Sequence, residues 1–344
     1  MFTNTDSTKM KDAKTLSETS SLLNNLKEIQ TLAASLPADR PDPSRIRAVI
    51  MDMDGTLLNA KEEISPKTRA YLIGLEQAGI RLILASGRSY KRLLRYANDL
   101  RMDEYGGLLI EVDGVALYDL SAKERTKYHE MSSEEIREIY TWLIGQNAES
   151  QAVFDDGMFV YFSPAIREHK ILLRGENHLD DDYPWTAGPW KWLADMRDGY
   201  PEIHYVKSAE EIFKPVNKLQ IMQEEQPLIE LFERMQARFG DRFSIYRTTP
   251  RQLEVLPLGF SKGEGLRRLM EREGWQSDQV IAFGDGENDV SMFETVPFSF
   301  AMGNAKDFVK QQAWAVTDSN TQDGIRKALM ALGLPANTKA HTKK

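Results

Sequence analysis

Strand-length apolar runs alternate with helix-length amphipathic runs at both ends of the chain, and the alternation stops in the middle; nothing else in the sequence narrows the possible folds as much. The first run, Ala48 to Met51, reads as a buried strand. It ends in acid at Asp52, with Asp54 two residues on and Gly55 permitting a sharp turn. Ser65-Pro66 opens a helix through Gln77 that Gly79 closes. Strand Arg81 to Ala85 then runs into Ser86-Gly87-Arg88, and a helix follows from Tyr90 to Leu100. Leu108 to Val112 and Val115 to Tyr118 form two more strands around an Asp113-Gly114 turn. This order predicts an α/β fold whose core is a doubly wound, Rossmann-like parallel sheet.

Past Pro257 the same rhythm returns: helix Lys262 to Glu273, strand Val280 to Phe283, Gly284-Asp285-Gly286-Glu287-Asn288-Asp289, a further helix, strand Ser299 to Met302, a helix from about Ala305, strand Ala313 to Thr317 and helix Gln322 to Leu332. Between the two halves the pattern differs. Ser132 and Glu135 make a capping box for a helix to about Leu143, and Ala152 to Phe162 forms a hairpin about Asp156-Gly157. Arg174 to Pro201 has no period and reads as a long loop. Val216 to Met222, a helix Pro227 to Phe239, and strands Arg242 to Tyr246 and Leu253 to Val255 make the insertion α+β and largely antiparallel. The predicted division is a core domain of residues 44–127 and 252–335, an inserted domain of 128–251, an extension of 1–43 and a polar tail of 336–344. Within the extension, Leu22, Leu26, Ile29, Ala33 and Leu36 make a helical stripe, which either docks on its own domain or mediates self-association as a homo-oligomer.

Composition removes several classes of function. The chain carries 44 Lys and Arg against 52 Asp and Glu, a net charge of −8, so it lacks the basic footprint of a nucleic-acid binder. It has no Cys, which excludes thiolate metal sites and a Cys nucleophile, and its five His show no ligand spacing. No run approaches the roughly 20 apolar residues of a membrane span, and the N-terminus lacks the layout of a secretory or transit peptide. A cytoplasmic enzyme with a small-molecule substrate is the expectation.

Polar residues collect where a parallel sheet places its site, beyond the carboxyl ends of the strands. Asp52 and Asp54 leave an extended chain on the same side and need a cation to stay ionised together; Mg2+, bound through carboxylates and phosphate oxygens, suits that need. The hydroxyl of Ser86 and the N–H groups about Gly87 suit a phosphate oxygen at a helix start. Lys262, between Gly259 and Gly263, offers a compact positive charge. Asp285, flanked by glycines and followed by Asn288 and Asp289, suits a metal ion approached closely by backbone.

Taken in order, Asp-Met-Asp-Gly-Thr, Ala-Ser-Gly-Arg, Ser-Lys-Gly and Gly-Asp-Gly-Glu-Asn-Asp resemble the motifs of the haloacid-dehalogenase superfamily of phosphohydrolases, in its Cof-type branch with a large cap between the second and third motifs. The resemblance covers about Arg47 to Ala331. Asp113-Gly114 departs from it, since the branch usually has Asn-Gly there. The resemblance implies that Asp52 is a nucleophile forming an aspartyl-phosphate, and that Asp54 acts as general acid and then base. It also implies that Ser86, Gly87, Lys262 and Asn288 bind the phosphoryl group, and that Asp52, the Asp54 backbone carbonyl, Asp285 and Asp289 hold Mg2+. The inserted domain becomes a cap that selects among small phosphorylated metabolites of the sugar phosphate, pyridoxal phosphate or flavin mononucleotide type, with Tyr183, Trp185, Trp190 and Trp192 as candidate contacts. A sugar phosphomutase on the same core, or a phosphometabolite sensor without turnover, are the competing readings.

Overall fold

The computed structural model describes residues 23–180, 197 and 199–336. The chain enters on helix α1 (23–35) and forms β1 (Ala48–Asp52), α2 (Pro66–Gln77), β2 (Arg81–Ala85), α3 (Tyr90–Asp99), β3 (Leu108–Glu111), β4 (Ala116–Asp119) and β5 (Glu124–Lys127). A second unit follows: α4 (Ser133–Ile144), β6 (Glu149–Phe154), β7 (Gly157–Phe162), α5 (Pro164–Glu176), β8 (Glu202–Tyr205), β9 (Lys218–Met222), α6 (Glu225–Phe239), β10 (Phe243–Thr249) and β11 (Gln252–Pro257). The chain then returns through α7 (Lys262–Glu273), β12 (Val280–Gly284), α8 (Val290–Thr295), β13 (Phe298–Ala301), α9 (Asp307–Lys310), β14 (Ala315–Val316) and α10 (Gly324–Ala331).

The first sheet has eight strands in the order β14-β13-β12-β1-β2-β3-β4-β5, parallel from β14 to β3 and antiparallel at β4 and β5. Its strands are buried on both faces. Val49, Met51, Leu82 and Leu84 pack with α2, α3 and α10, while Ala48, Ile50, Ile83 and Ala85 pack with α7 and α8. That double burial is why these strands read as unbroken apolar runs. Parallel register then sets the site: Asp52 lies opposite Ala85, and Met51 opposite Phe283, so residues following β1, β2 and β12 leave the sheet side by side.

The second sheet has the order β10-β11-β9-β6-β7-β8, antiparallel except for the β7–β8 pair. One face carries Ala152, Leu219, Val255 and Ile245 against α4 and α6. The expected capping box is present: Ser132 accepts from the Glu135 N–H, and the Glu135 carboxylate accepts from the Ser132 N–H.

Several sequence expectations need correction. A boundary between residues 251 and 252 would cut the β10–β11 hairpin; β11 pairs with β9 and β10, so the second crossing between the sheets lies after Pro257. Strand β5 was not expected, because Glu-Arg-Thr-Lys has no apolar alternation; it is an edge strand paired on one side only. Helix α5 was also missed, and it overlaps the start of the segment read as a loop; Ser163 caps it, accepting from the Ile166 N–H, with Pro164 in its first turn. Tyr183, Trp185, Trp190 and Trp192 of that loop, Leu22 of the N-terminal stripe and residues 337–344 of the tail lie outside the described residues. Of the remaining stripe, Ile29 and Leu36 are buried while Leu26 is exposed. Glu28 pairs with Lys327, and Asn25 accepts from Arg326, which docks α1 on its own chain at α10. Among the described residues, no helix is long and apolar enough to cross a membrane.

Candidate active site

Three carboxylates converge at the carboxyl edge of the larger sheet. Asp52, Asp285 and Asp289 each offer an oxygen within 4.8 Å of the others. Lys262, whose side chain is 1% exposed, joins two of them, with Nζ 2.5 Å from Asp52 Oδ1 and 2.6 Å from Asp289 Oδ1. It stands at the start of α7, where Ser261 caps the helix by accepting from the Glu264 N–H. Asp289 Oδ2 accepts from the N–H groups of Asp285 and Gly286, which folds the acidic loop back on itself. Thr56 donates to Asp285 Oδ1 at 2.7 Å. Gly55 has φ +81°, and a Cβ there would lie 2.3 Å from Asp285 Oδ2, so the turn after β1 leaves room for no side chain.

The electrostatics follow from this crowding. Burial, and then the Asp289 carboxylate, pushes Asp52 well above the ordinary carboxylate range despite Lys262. The same two causes raise Asp285 to about 6. Burial alone would lower the Lys262 ammonium, but Asp289, Asp52 and Asp113 outweigh it and hold the group well above its usual pKa. Three hard oxygen donors with a surplus of negative charge are the donor set that Mg2+ takes. The residues therefore fit a hard divalent cation.

Asp54 stands apart from this group. Its carboxylate is bound by Arg88, with Nε 3.0 Å from Oδ2 and an Nη 2.5 Å from Oδ1. Of the predicted ligand positions, it alone could contribute only through its backbone. Ser86 is 2% exposed, and its Oγ accepts from the Arg88 N–H at 3.2 Å. A Cβ on Gly87 would lie 2.7 Å from both Asp113 Oδ2 and Lys218 Nζ. Asn288 sits within the same cluster but spends its amide on Asp113 Oδ1 at 3.1 Å.

Asp113 introduces residues that were not singled out in the sequence. It follows β3 in a turn where Val112 and Asp113 have φ +48° and +50°, anchored by the N–H groups of Asp113 and Val112 donating to the Ser86 and Arg88 carbonyls. Asp tolerates the left-handed region as Asn does, so the departure from Asn keeps the backbone and adds a charge. That charge is matched across the two sheets. Lys218 of β9, 1% exposed, lies 3.5 Å from Asp113 Oδ2 and 2.8 Å from Glu254 Oε1. Burial would raise Asp113, but Lys218 and Lys262 overcome it and hold the carboxyl below its usual range. Glu254 is raised by burial, and secondarily by the Asp113 charge, to about 7 against the pull of Lys218. Asp113 was visible as a departure from the motif; Lys218 and Glu254 sit in strands that read as ordinary.

The second unit is tied to the first at further points. Asp155, at the tip of the β6–β7 hairpin, accepts from Arg125 and Lys127 of β5 and from Asn217. On the opposite side Arg247 pairs with Glu287 at 3.0 Å.

A doubly wound sheet with carboxylates and one lysine at its strand ends, under a second sheet inserted in the chain, defines a hydrolase core with a cap. The chain belongs to the haloacid dehalogenase-like hydrolase family, in its Cof-type phosphatase branch; the family model matches residues 49–329. It is 27% identical over 81% of its length to the pyridoxal phosphate phosphatase YbhA of Escherichia coli, covering 96% of that protein. It is 25% identical over 83% of its length to the 5-amino-6-(5-phospho-D-ribitylamino)uracil phosphatase YcsE of Bacillus subtilis, covering 94% of it. Among solved structures it is similar to a haloacid dehalogenase-like hydrolase from Bacteroides thetaiotaomicron, with a TM-score of 0.64, 28% identity, and coverage of 83% of this chain and 98% of that one.

Proposed function

We propose that the protein is a Mg2+-dependent phosphomonoesterase that hydrolyses small phosphorylated metabolites through an aspartyl-phosphate on Asp52. The observation that carries the reading is Lys262, buried and shared between Asp52 and Asp289 in a group of three carboxylates. Asp52, Asp285, Asp289 and the Asp54 backbone carbonyl would hold the cation, which when bound offsets charge on the phosphoryl oxygens.

The chain's own residues do the rest. One Asp52 oxygen attacks phosphorus in line, and the bond from phosphorus to the ester oxygen breaks. Ser86, the N–H of Gly87, Lys262 and Asn288 hold the non-bridging oxygens, Asn288 exchanging its bond to Asp113 for one to the ligand. Asp54 gives a proton to the departing alcohol and later takes one from the water that cleaves the acyl phosphate. To do so it exchanges Arg88 for the leaving oxygen. The second sheet serves as the cap, excluding water from the closed site. Similarity to phosphatases named for pyridoxal phosphate and for a phosphoribityl compound supports phosphate esters of small metabolites as substrates.

A phosphate-release screen over metabolite esters, run with Mg2+ and with chelator, tests this. Turnover that needs Mg2+ and disappears in Asp52→Asn is expected. Release of phosphate by Asp52→Asn at the wild-type rate would refute the nucleophile. Transfer of the phosphoryl group to a second position of a sugar, with none to water, would favour the mutase.

A further inference from the structure

Parallel pairing sets the loops after β14, β13, β12 and β1 side by side along the carboxyl edge of the larger sheet, and one side chain joins them all. That side chain is Asn304, just beyond β13. Its Nδ2 donates to the Gly55 carbonyl at 2.9 Å and to Asp285 Oδ2 at 3.3 Å, and its Oδ1 accepts from the Asn320 N–H at 3.1 Å. The backbone beneath it is fixed. Gly303 donates its N–H to the Asp318 carbonyl, and a Cβ on Gly303 would lie 2.9 Å from the Ser319 nitrogen, so the chain before Asn304 lies flat against the loop after β14. Asn320 is anchored in turn, its Nδ2 donating to the Leu58 carbonyl at 2.7 Å.

An amide with these neighbours has one usable orientation. Turned over, it would set its oxygen against a carbonyl and a carboxylate and its NH2 against the Asn320 N–H, and all three bonds would be lost. Asp285 is therefore held on both oxygens: Thr56 donates to Oδ1 at 2.7 Å, Asn304 donates to Oδ2, and Gly55 packs against Oδ2. Each carboxylate oxygen has a second lone pair, so the grip fixes the rotamer and still leaves Asp285 able to bind a cation. The same amide holds the carbonyl of Gly55, next in the chain to the Asp54 carbonyl. Asn304 is exposed, so water could satisfy its atoms equally well. Water could not fix the loops relative to one another.

We propose that Asn304 is a positioning residue for the cation site: it locks the Asp285 carboxylate and the turn after β1 into one arrangement, with Asn320 locking Asn304. The inference rests on the Mg2+-dependent phosphatase reading above and adds a residue that touches neither cation nor ester. Its physical basis is preorganisation. A carboxylate already held in its binding rotamer loses less freedom when a cation arrives, and the hydrogen bonds of a ligand's outer partners set how well it binds. Without the Asn304 amide, Thr56 is the one side chain left bonding Asp285, and the carboxylate can turn about that bond.

The test is calorimetric titration of Mg2+ into wild type, Asn304→Ala and Asn320→Ala, with melting curves in chelator and kinetics on p-nitrophenyl phosphate beside it. Outer partners of metal ligands are worth about 10–100-fold in affinity, and an exposed one belongs at the low end, so Asn304→Ala should weaken Mg2+ binding about tenfold. Asn320→Ala, which loosens the backbone donor behind Asn304, should act in the same direction by a smaller factor. The Mg2+ concentration for half-maximal rate should rise in step, while KM for the ester at saturating Mg2+ stays near that of wild type. Melting in chelator should move little, as for other exposed substitutions. Mg2+ affinity equal to wild type in Asn304→Ala would overturn the proposal. So would a loss of affinity accompanied by early melting in chelator, which marks a general loosening of the fold, or a raised KM with unmoved cation affinity, which makes Asn304 a substrate contact. Mg2+ binding that weakens as expected in a protein that hydrolyses no ester would uphold the role of Asn304 and refute the phosphatase reading instead.

Discussion

Replacing Lys262 by Met removes the one ammonium that joins Asp52 to Asp289 and leaves three carboxylates within 4.8 Å of one another. At an effective dielectric of about 20, unit charges at that distance repel by roughly 3–4 kcal/mol per pair. The carboxyls escape part of this by taking up protons, as the raised Asp285 already does, so the net cost is that of stripping one partner from a buried ion pair, about 3–5 kcal/mol. For a chain of this size that lowers the melting temperature by roughly 4–7 °C in chelator. A divalent cation should then do more for the variant than for wild type, because it meets the same carboxylates with no ammonium competing for them. Melting curves of both proteins in chelator and in a Mg2+ series, at one pH near 7, read this directly. Turnover should stay low even when Mg2+ restores stability, with a loss of about 2.7–4 kcal/mol in transition-state stabilisation. A variant as stable as wild type in chelator, or one that Mg2+ stabilises no more than it stabilises wild type, would refute the account of Lys262 as the internal counter-ion.

Glu76 of α2 is 4% exposed with both carboxylate oxygens unpartnered, and burial raises it to about 8. Between its ordinary 4.5 and about 8 the folded state keeps a proton that the unfolded chain has released, so stability falls as pH rises through that window. Glu76→Gln should flatten the fall, matching wild type near pH 4 and exceeding it by a few kcal/mol near pH 8, since each tenfold change in proton affinity is worth about 1.4 kcal/mol; equal slopes in urea titrations would refute this. Gly55→Ala should lower kcat at least about tenfold while the protein stays folded, because the new methyl meets Asp285 Oδ2 at 2.3 Å in a backbone of φ +81°; wild-type kcat would show that the turn yields freely. Asp113→Asn removes a charge that raises Glu254, so the Glu254 carboxyl should titrate lower than about 7 by carbon NMR, and an unmoved titration would refute the coupling of the two carboxyls.

Much of the core was legible because a strand buried on both faces leaves an apolar run that stops where the chemistry starts. Ala48 to Met51, Arg81 to Ala85 and Val280 to Phe283 marked their own ends, and their parallel register brought Asp52, Ser86 and Asp285 to one edge. Helix α7 was read to its exact limits because Ser261 caps it and Gly274, left-handed at φ +69°, ends it. Less of the second unit could be read. Strand β5 has four polar residues and owes its place to pairing with β4 and to the Arg125 and Lys127 contacts with Asp155, none of which is local in sequence. Lys218 and Glu254 were invisible for the same reason, since their partner Asp113 is 105 residues from Lys218. Arg88 lay within a motif, but its grip on Asp54 depends on a turn 34 residues earlier.

The pairing register of the cap hairpin also has an evolutionary reading. Strand β10 meets β11 residue for residue up to Arg247, where a bulge shifts the pairing before Thr249. Since neighbours along a strand face opposite ways, one residue gained or lost ahead of that bulge would turn Tyr246 from the face it shares with Glu254 and put Ile245 or Arg247 in its place. A single codon inserted or deleted in this hairpin would thus change what stands beside the buried Asp113, Lys218 and Glu254 group while leaving the carboxylates of the other sheet where they are.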